Sequence, residues 1–253
     1  MATRFDVRDE AWLPRSAQAN GCRPALRGAA RRMARATLAC IFAVAVTACG
    51  SERTYTAEPI AARIVDADTG APVEGVNVVA AWQAKGGLEG GNIMGYVMVM
   101  EDVTDANGEF SFPGWGPKKW GNGAIRDGAP LLILFKPGYE VSFVWERKYG
   151  VEFAPSHLSW SGNGKSIQFK KFARKEDEYA HPNVGVWTVL DTLIPQRGCS
   201  WKEIPRFLNA VDLQRRALLA SGKTSDLPSL DSLDANAEKS CGSLKAYVLE
   251  NGR

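Results

Sequence analysis

The sequence predicts a mainly β protein: a seven-stranded antiparallel β-sandwich over residues 58–173, with a C-terminal α-helical extension over residues 174–253 packed on it. Three observations carry this. Short runs rich in branched and aromatic residues alternate with Gly, Asn, Asp and Pro clusters up to about residue 173. Beyond about residue 184 the apolar spacing becomes helical. Residues 131–135 (LLILF) contain no polar member, so both faces of that strand require cover, where a two-sheet sandwich covers one. The helical tail is the candidate for the other.

The strands are expected in order. Residues 60–65 form the first and end at the turn cluster Asp66–Pro72. Residues 76–82 (VNVVAAW) form the second, followed by a glycine-rich loop through Gly86, Gly87, Gly90 and Gly91. Residues 94–103 form the third. Asn107-Gly108 suits a type I′ hairpin, in which both central residues have positive φ. Phe110 and Phe112 then alternate on the returning strand, and residues 131–135, 139–145 and 167–172 complete the set. In the tail, Ile204, Phe207, Leu208, Val211 and Leu218 fall on one helical stripe. Pro205 sits in its first turn, where a missing N–H costs nothing, and Gly222 stops it. Ser200 with Glu203 spells a capping box that Pro205 makes uncomfortable. A weaker helical stretch follows within 229–249, broken near Gly242.

Composition excludes several classes. With 45% hydrophobic and 23% charged residues, a wholly disordered or fibrous chain does not fit. Residues 1–48 hold eight of the 31 basic residues and three of the 28 acidic ones, so the net charge of +3 becomes −2 for the remainder. The basic pI therefore belongs to the leader, and no nucleic-acid partner is expected of the body.

The leader is set aside before fold reasoning. Arg31, Arg32 and Arg35 precede an apolar stretch, residues 36–48 (ATLACIFAVAVTA), too short for a bilayer crossing of roughly 20 helical residues. A basic segment, a short apolar core and small residues before a break make a secretory signal. The break, Val46-Thr47-Ala48-Cys49 followed by Gly50, resembles the lipobox of bacterial lipoproteins. That resemblance implies acylation of Cys49, a membrane partner held through N-terminal acyl chains, and a place in the bacterial cell envelope. Gly50, rather than aspartate, implies the outer membrane facing the periplasm. Residues 1–32 read as an over-extended start or a disordered n-region, and residues 49–57 as the lipidated N-terminus and a flexible tether. Cys199 and Cys241 are the two cysteines left, and an even pair in an exported chain reads as a disulfide. His157 and His181 have no second ligand at metal-site spacing, so neither metal nor cofactor is expected.

Residues 61–79 (AARIVDADTGAPVEGVNVV), 104–110 (TDANGEF) and 135–139 (FKPGY), in that order, resemble a carboxypeptidase regulatory-like domain. The resemblance implies a transthyretin-like seven-stranded sandwich and a non-catalytic accessory role, so the chain is not expected to be an enzyme. It carries over no ligand, because the shared residues are turn formers.

Chemical motifs fail on inspection. Residues 159–166 (SWSGNGKS) lack the first glycine of a phosphate loop and precede a strand, and residues 104–109 place Val103 where a calcium loop needs its first ligand. Glu176, Asp177 and Glu178, beside Lys170, Lys171, Arg174 and Lys175, read as a solvated charge run. The segment 113–123 (PGWGPKKWGNG) sets Trp115 and Trp120 around Lys118 and Lys119 in an irregular loop. Two readings stand there: indoles presented to a sugar ring or another protein, or indoles folded back onto the sandwich. The chain is expected to be an anchored interaction or structural module with a cell-envelope protein or glycan partner. A carbohydrate- or peptidoglycan-binding module using that loop is the alternative, and an accessory part of a hydrolase a third.

Overall fold

A computed structural model describes residues 52–86, 92–121, 123–125, 127–146, 154–172, 184–194 and 198–253. The leader, Cys49, the glycines at 87, 90 and 91, the charged residues at 174–178 and His181 lie outside them.

The protein is mainly β. Its strands are β1 (Arg53–Ala57), β2 (Ile60–Asp66), β3 (Asn77–Gly86), β4 (Asn92–Val103), β5 (Glu109–Phe112), β6 (Trp115–Trp120), β7 (Ala124–Ile125), β8 (Leu131–Phe135), β9 (Ser142–Val144), β10 (His157–Leu158) and β11 (Ser166–Phe169). They form three sheets, ordered β10-β1-β6, β11-β2-β5 and β4-β3-β8-β9, with β7 also on β3. Helices follow: α1 (Val184–Leu193), α2 (Pro205–Ala220), α3 (Leu230–Asn236) and α4 (Leu244–Asn251).

This differs from the expectation of seven antiparallel strands. Eleven strands are described, and β10 on β1 and β11 on β2 run parallel. Residues 53–57, expected as part of a tether, form β1, and Tyr55 at its centre is buried. The alternation Arg-Thr-Tyr-Thr-Ala fits a strand, but it is only five residues long and follows the leader. Helix α1 was hidden for another reason: its sequence, VGVWTVLDTL, is mostly of residues that favour strands.

Two cores lie on opposite faces of the five-stranded sheet. Val78, Ala80 and Trp82 of β3 and Leu132 and Leu134 of β8 join Ile64, Phe110, Phe112 and Phe169 from the other strands. Their neighbours Val79 and Ala81, with Leu131, Ile133 and Phe135, join Leu190, Trp201, Phe207 and Val211 of the helical tail. The unbroken LLILF run is thus explained by cover on both sides. Phe207 meets Phe135 edge-on with centroids 5.8 Å apart.

Helix α2 begins at Pro205 after Ile204, which has no side chain able to cap it. Glu101 of β4 supplies the cap: its carboxylate accepts from the Arg206 N–H (3.0 Å) and the Phe207 N–H (2.9 Å). The same carboxylate pairs with the Arg206 guanidinium at 3.2 Å. A negative group at a helix N-terminus satisfies orphan donors and complements the dipole. Ser200–Glu203 is a 3₁₀ turn without a side-chain cap, so no capping box forms there.

The expected type I′ hairpin is corrected. Gly108 has φ +73°, but Asn107 does not have positive φ. The Gly108 N–H donates to the Asp105 carbonyl at 2.9 Å, and the Asp105 carboxylate accepts from the Asn107 and Glu109 N–H groups. An aspartate that captures two amides selects a different turn from the one Asn-Gly alone suggests. The turn also leaves the sheet: β4 pairs with β3, whereas β5 pairs with β2. A Cβ on Gly108 would collide with the Ile64 carbonyl oxygen. Gly108→Ala is therefore expected to lower stability by at least about 2 kcal/mol, combining left-handed strain with the collision. Urea denaturation checks this, and an unchanged midpoint would refute it.

Candidate functional site

The segment carrying Trp115, Lys118, Lys119 and Trp120 is not an irregular loop but strand β6, paired antiparallel with β1. It is an edge strand, where Pro117 can sit without breaking an inner ladder. Trp115 is buried edge-on against Trp82, with centroids 5.3 Å apart, while Trp120 is half-buried and both lysines are exposed. The structure therefore buries Trp115 and leaves Lys118, Lys119 and Trp120 at the surface. The indoles do not form a paired platform for a ligand.

An exposed aromatic is found elsewhere. The partner of β3 changes along one edge: Ala81 pairs with Leu131 of β8, and Ala84 pairs with Ile125 of β7. Between them, among the described residues, Trp82 and Gln83 have no ladder partner on that side, and a crevice opens there. Gln83, Asp127, Trp145 and Glu146 stand on its rim. Trp145 is 47% exposed. Lys85 pairs with Asp127 at 2.6 Å, and its ammonium stands 5.8 Å from the Trp145 ring centroid. Glu146 accepts from the Ser161 N–H at 2.8 Å. The enclosed part holds only about 10 Å³, roughly one water. A ligand here would lie across the rim and the indole rather than sink between the strands. Trp145 had only been read as the end of a strand. Its one sequence signal is a tryptophan followed by glutamate at a strand terminus.

A second polar cluster braces the fold. Asp66, at the end of β2, is buried, and one carboxylate oxygen accepts from the Asp68 and Thr69 N–H groups and the Thr69 hydroxyl. The other lies 3.0 Å from the Lys171 ammonium and 3.1 Å from the Tyr139 hydroxyl. Lys171 first, then Thr69, holds the Asp66 carboxyl far below the usual carboxylate range despite burial. Burial and the facing carboxylate push Tyr139 up, and Asp66 pushes Lys171 up. Both ends of the pair are thus kept charged, which suits a brace rather than a proton-transfer pair. A depressed carboxyl contributes stability that is present above the unfolded value near 4 and lost as pH falls toward the folded value. The melting temperature is therefore expected to fall below pH 4 more steeply in the wild type than in Asp66→Asn. Parallel melting curves would show that this carboxylate contributes nothing.

A wide groove, about 710 Å³, runs past Arg63, Asp102, Asp105 and Glu109. Its aspartates are engaged with the chain itself: Asp102 accepts from the Ser111 N–H and Asp105 holds the turn. Residues 159–166 likewise form a turn, in which Asn163 accepts from the Ala61 N–H and donates to the Pro59 carbonyl. Among the described residues no three His, Cys, Asp or Glu side chains gather as a metal site, and no helix is long and apolar enough to cross a membrane. Cys199 and Cys241 form a disulfide, with Cα atoms 5.6 Å apart.

No protein family matches the chain, and no curated protein does. Among solved structures, the chain is similar to 3-chlorocatechol 1,2-dioxygenase from Rhodococcus opacus 1CP, at 16% identity over 53% of this chain and 78% of that one, TM-score 0.26. Catechol 1,2-dioxygenase from Acinetobacter sp. ADP1 shares 13% identity over 47% of this chain and about half (54%) of its own, TM-score 0.27. The shaft pilin SpaA of Lactobacillus rhamnosus GG shares 9% over 48% and 52%, TM-score 0.20. The expectation that the chain is not an enzyme is corrected on this finding, because the dioxygenases are enzymes. At such TM-scores and identities the likeness carries no activity, substrate or cofactor to this chain.

Proposed function

We propose that the chain is a lipid-anchored cell-envelope protein, held at the outer membrane by acyl chains on Cys49 and facing the periplasm. In this reading its strands form a transthyretin-like β-sandwich serving as an interaction module. Its partner is an envelope glycan that lies across the Trp145 crevice. The lipobox resemblance at residues 46–49 supports the anchor. Two or three acyl chains hold a protein stably where one does not. The cores on both faces of the five-stranded sheet support a layered body.

The observation that carries the ligand class is the exposed Trp145 beside Asp127, Glu146 and Gln83. A flat indole can stack on a sugar ring, and carboxylate and amide oxygens accept from neighbouring hydroxyls. The shallow crevice fits a chain lying along the surface better than a small molecule needing enclosure. Calorimetric titration of the exported protein with solubilised peptidoglycan fragments tests this. Trp145→Ala is expected to weaken binding at least about tenfold, as loss of a central aromatic anchor does. Equal affinity in the variant, or no binding by the wild type, would overturn the glycan reading. The anchor is tested separately: palmitate label should enter the wild type and vanish in Cys49→Ser.

A further inference from the structure

We propose that the β1–β6 end of the body docks on the anionic surface of the bilayer that holds the anchor. This rests on the lipid-anchor reading. The tether is short, because β1 starts at Arg53, four residues beyond Cys49. At no more than about 3.6 Å per residue, Arg53 stays within about 14 Å of the acylated residue along the chain. Whatever stands beside Arg53 is brought to the headgroups.

What stands there is basic. Register pairs Arg53 with Trp120, Thr54 with Lys119 and Tyr55 with Lys118. At about 3.3 Å per residue, both lysines lie within about 7 Å of the first residue of β1, measured along the strand. Both are exposed, and Lys119 is 75% so. Its ion-pair partner is Glu52 at 3.8 Å, itself 64% exposed, a pairing of the kind that contributes little. Lys118 and Lys119 against Glu52 give this end a surplus of one positive charge, whereas residues 49–253 together carry −2. An anionic surface would therefore repel the rest of the body and attract this end. Even at its full reach the tether spans under two screening lengths of about 8 Å at physiological salt, so the field is weakened there but still felt. Half-buried Trp120, packed against the inner core by one side, suits the headgroup region. The docked body would thus be oriented by β6.

The test uses the exported, acylated protein reconstituted into vesicles whose lipids are brominated near the headgroup, made with or without phosphatidylglycerol. Tryptophan quenching is expected with phosphatidylglycerol, reduced on pure phosphatidylcholine, and lost in Trp120→Phe. Each basic residue near an anionic surface is worth about fivefold, so Lys118→Gln with Lys119→Gln should lower the docked-to-free ratio about 25-fold. Circular dichroism of the variants checks that the fold is intact. Palmitate-labelled protein whose quenching is absent, or is the same in every variant and lipid, overturns the docking and leaves the anchor standing. Exported protein that takes no label overturns both.

Discussion

A chain ended after Phe172 is expected to lose its folded, soluble state. Val79, Ala81, Tyr96, Val99, Leu131, Ile133 and Phe135 of the five-stranded sheet share one core with the helices that such a truncation removes. Burying a large apolar side chain contributes about 1.5–3 kcal/mol, so exposing these seven costs on the order of 10 kcal/mol, an upper estimate because denatured chains retain some burial. Whole proteins are stable by only about 5–15 kcal/mol. Glu101 would add to the loss, since its buried carboxylate would face no helix and no Arg206. Expression followed by gel filtration and a melting curve gives the result. Aggregation, or a melting point far below that of the full chain, is expected. A soluble monomer melting with the full-length protein would make the helices an independent module and contradict the shared core.

This dependence also shows what could be read beforehand. Strands β2, β3, β4, β5, β8, β9 and β11 were legible because each is bounded by turn residues and built of branched or aromatic ones, whereas β1 and β6 were read as tether and loop. The need for outside cover was legible from LLILF alone, because a strand with one wet face must alternate. The stripe from Ile204 to Leu218 was legible for the same geometric reason, and every member of it is buried. Three things were not. Short strands such as β7, at two residues, have no room for a pattern. The turn at Asp105–Gly108 depended on a side-chain capture that competes with the Asn-Gly preference. The crevice beside Trp145 arises from a change of strand partner along β3, which is a property of register between distant segments. Tryptophans at 115, 120 and 145 look alike in sequence. Only the pairing of β6 with β1 and the gap beside Gln83 separate the buried one from the exposed one.

Replacing Cys199 and Cys241 together by serine is expected to lower stability by about 4 kcal/mol, the loop-closure entropy of a link spanning 42 residues. For a body of this size the melting temperature would fall by roughly 8–16 °C. The link joins the chain just before the 3₁₀ turn Ser200–Glu203 to the end of the 3₁₀ turn Lys239–Cys241, enclosing α2 and α3. It therefore fixes the two ends of the α2–α3 segment within the layer that covers the sheet. Beside it Trp201 is fully buried and meets Tyr247 of α4 edge-on, with centroids 5.5 Å apart. Loosening should accordingly begin around α4 and Trp201 before it reaches β3 and β8. Hydrogen exchange would show this as faster exchange in residues 244–251 of the double variant, with the amides of residues 131–135 still protected. Mass spectrometry of unreduced peptides should find the two cysteines joined in the exported protein. If reduction leaves both the melting temperature and the exchange of α4 unchanged, the helical layer is held by its apolar contacts alone and the bridge adds nothing to them.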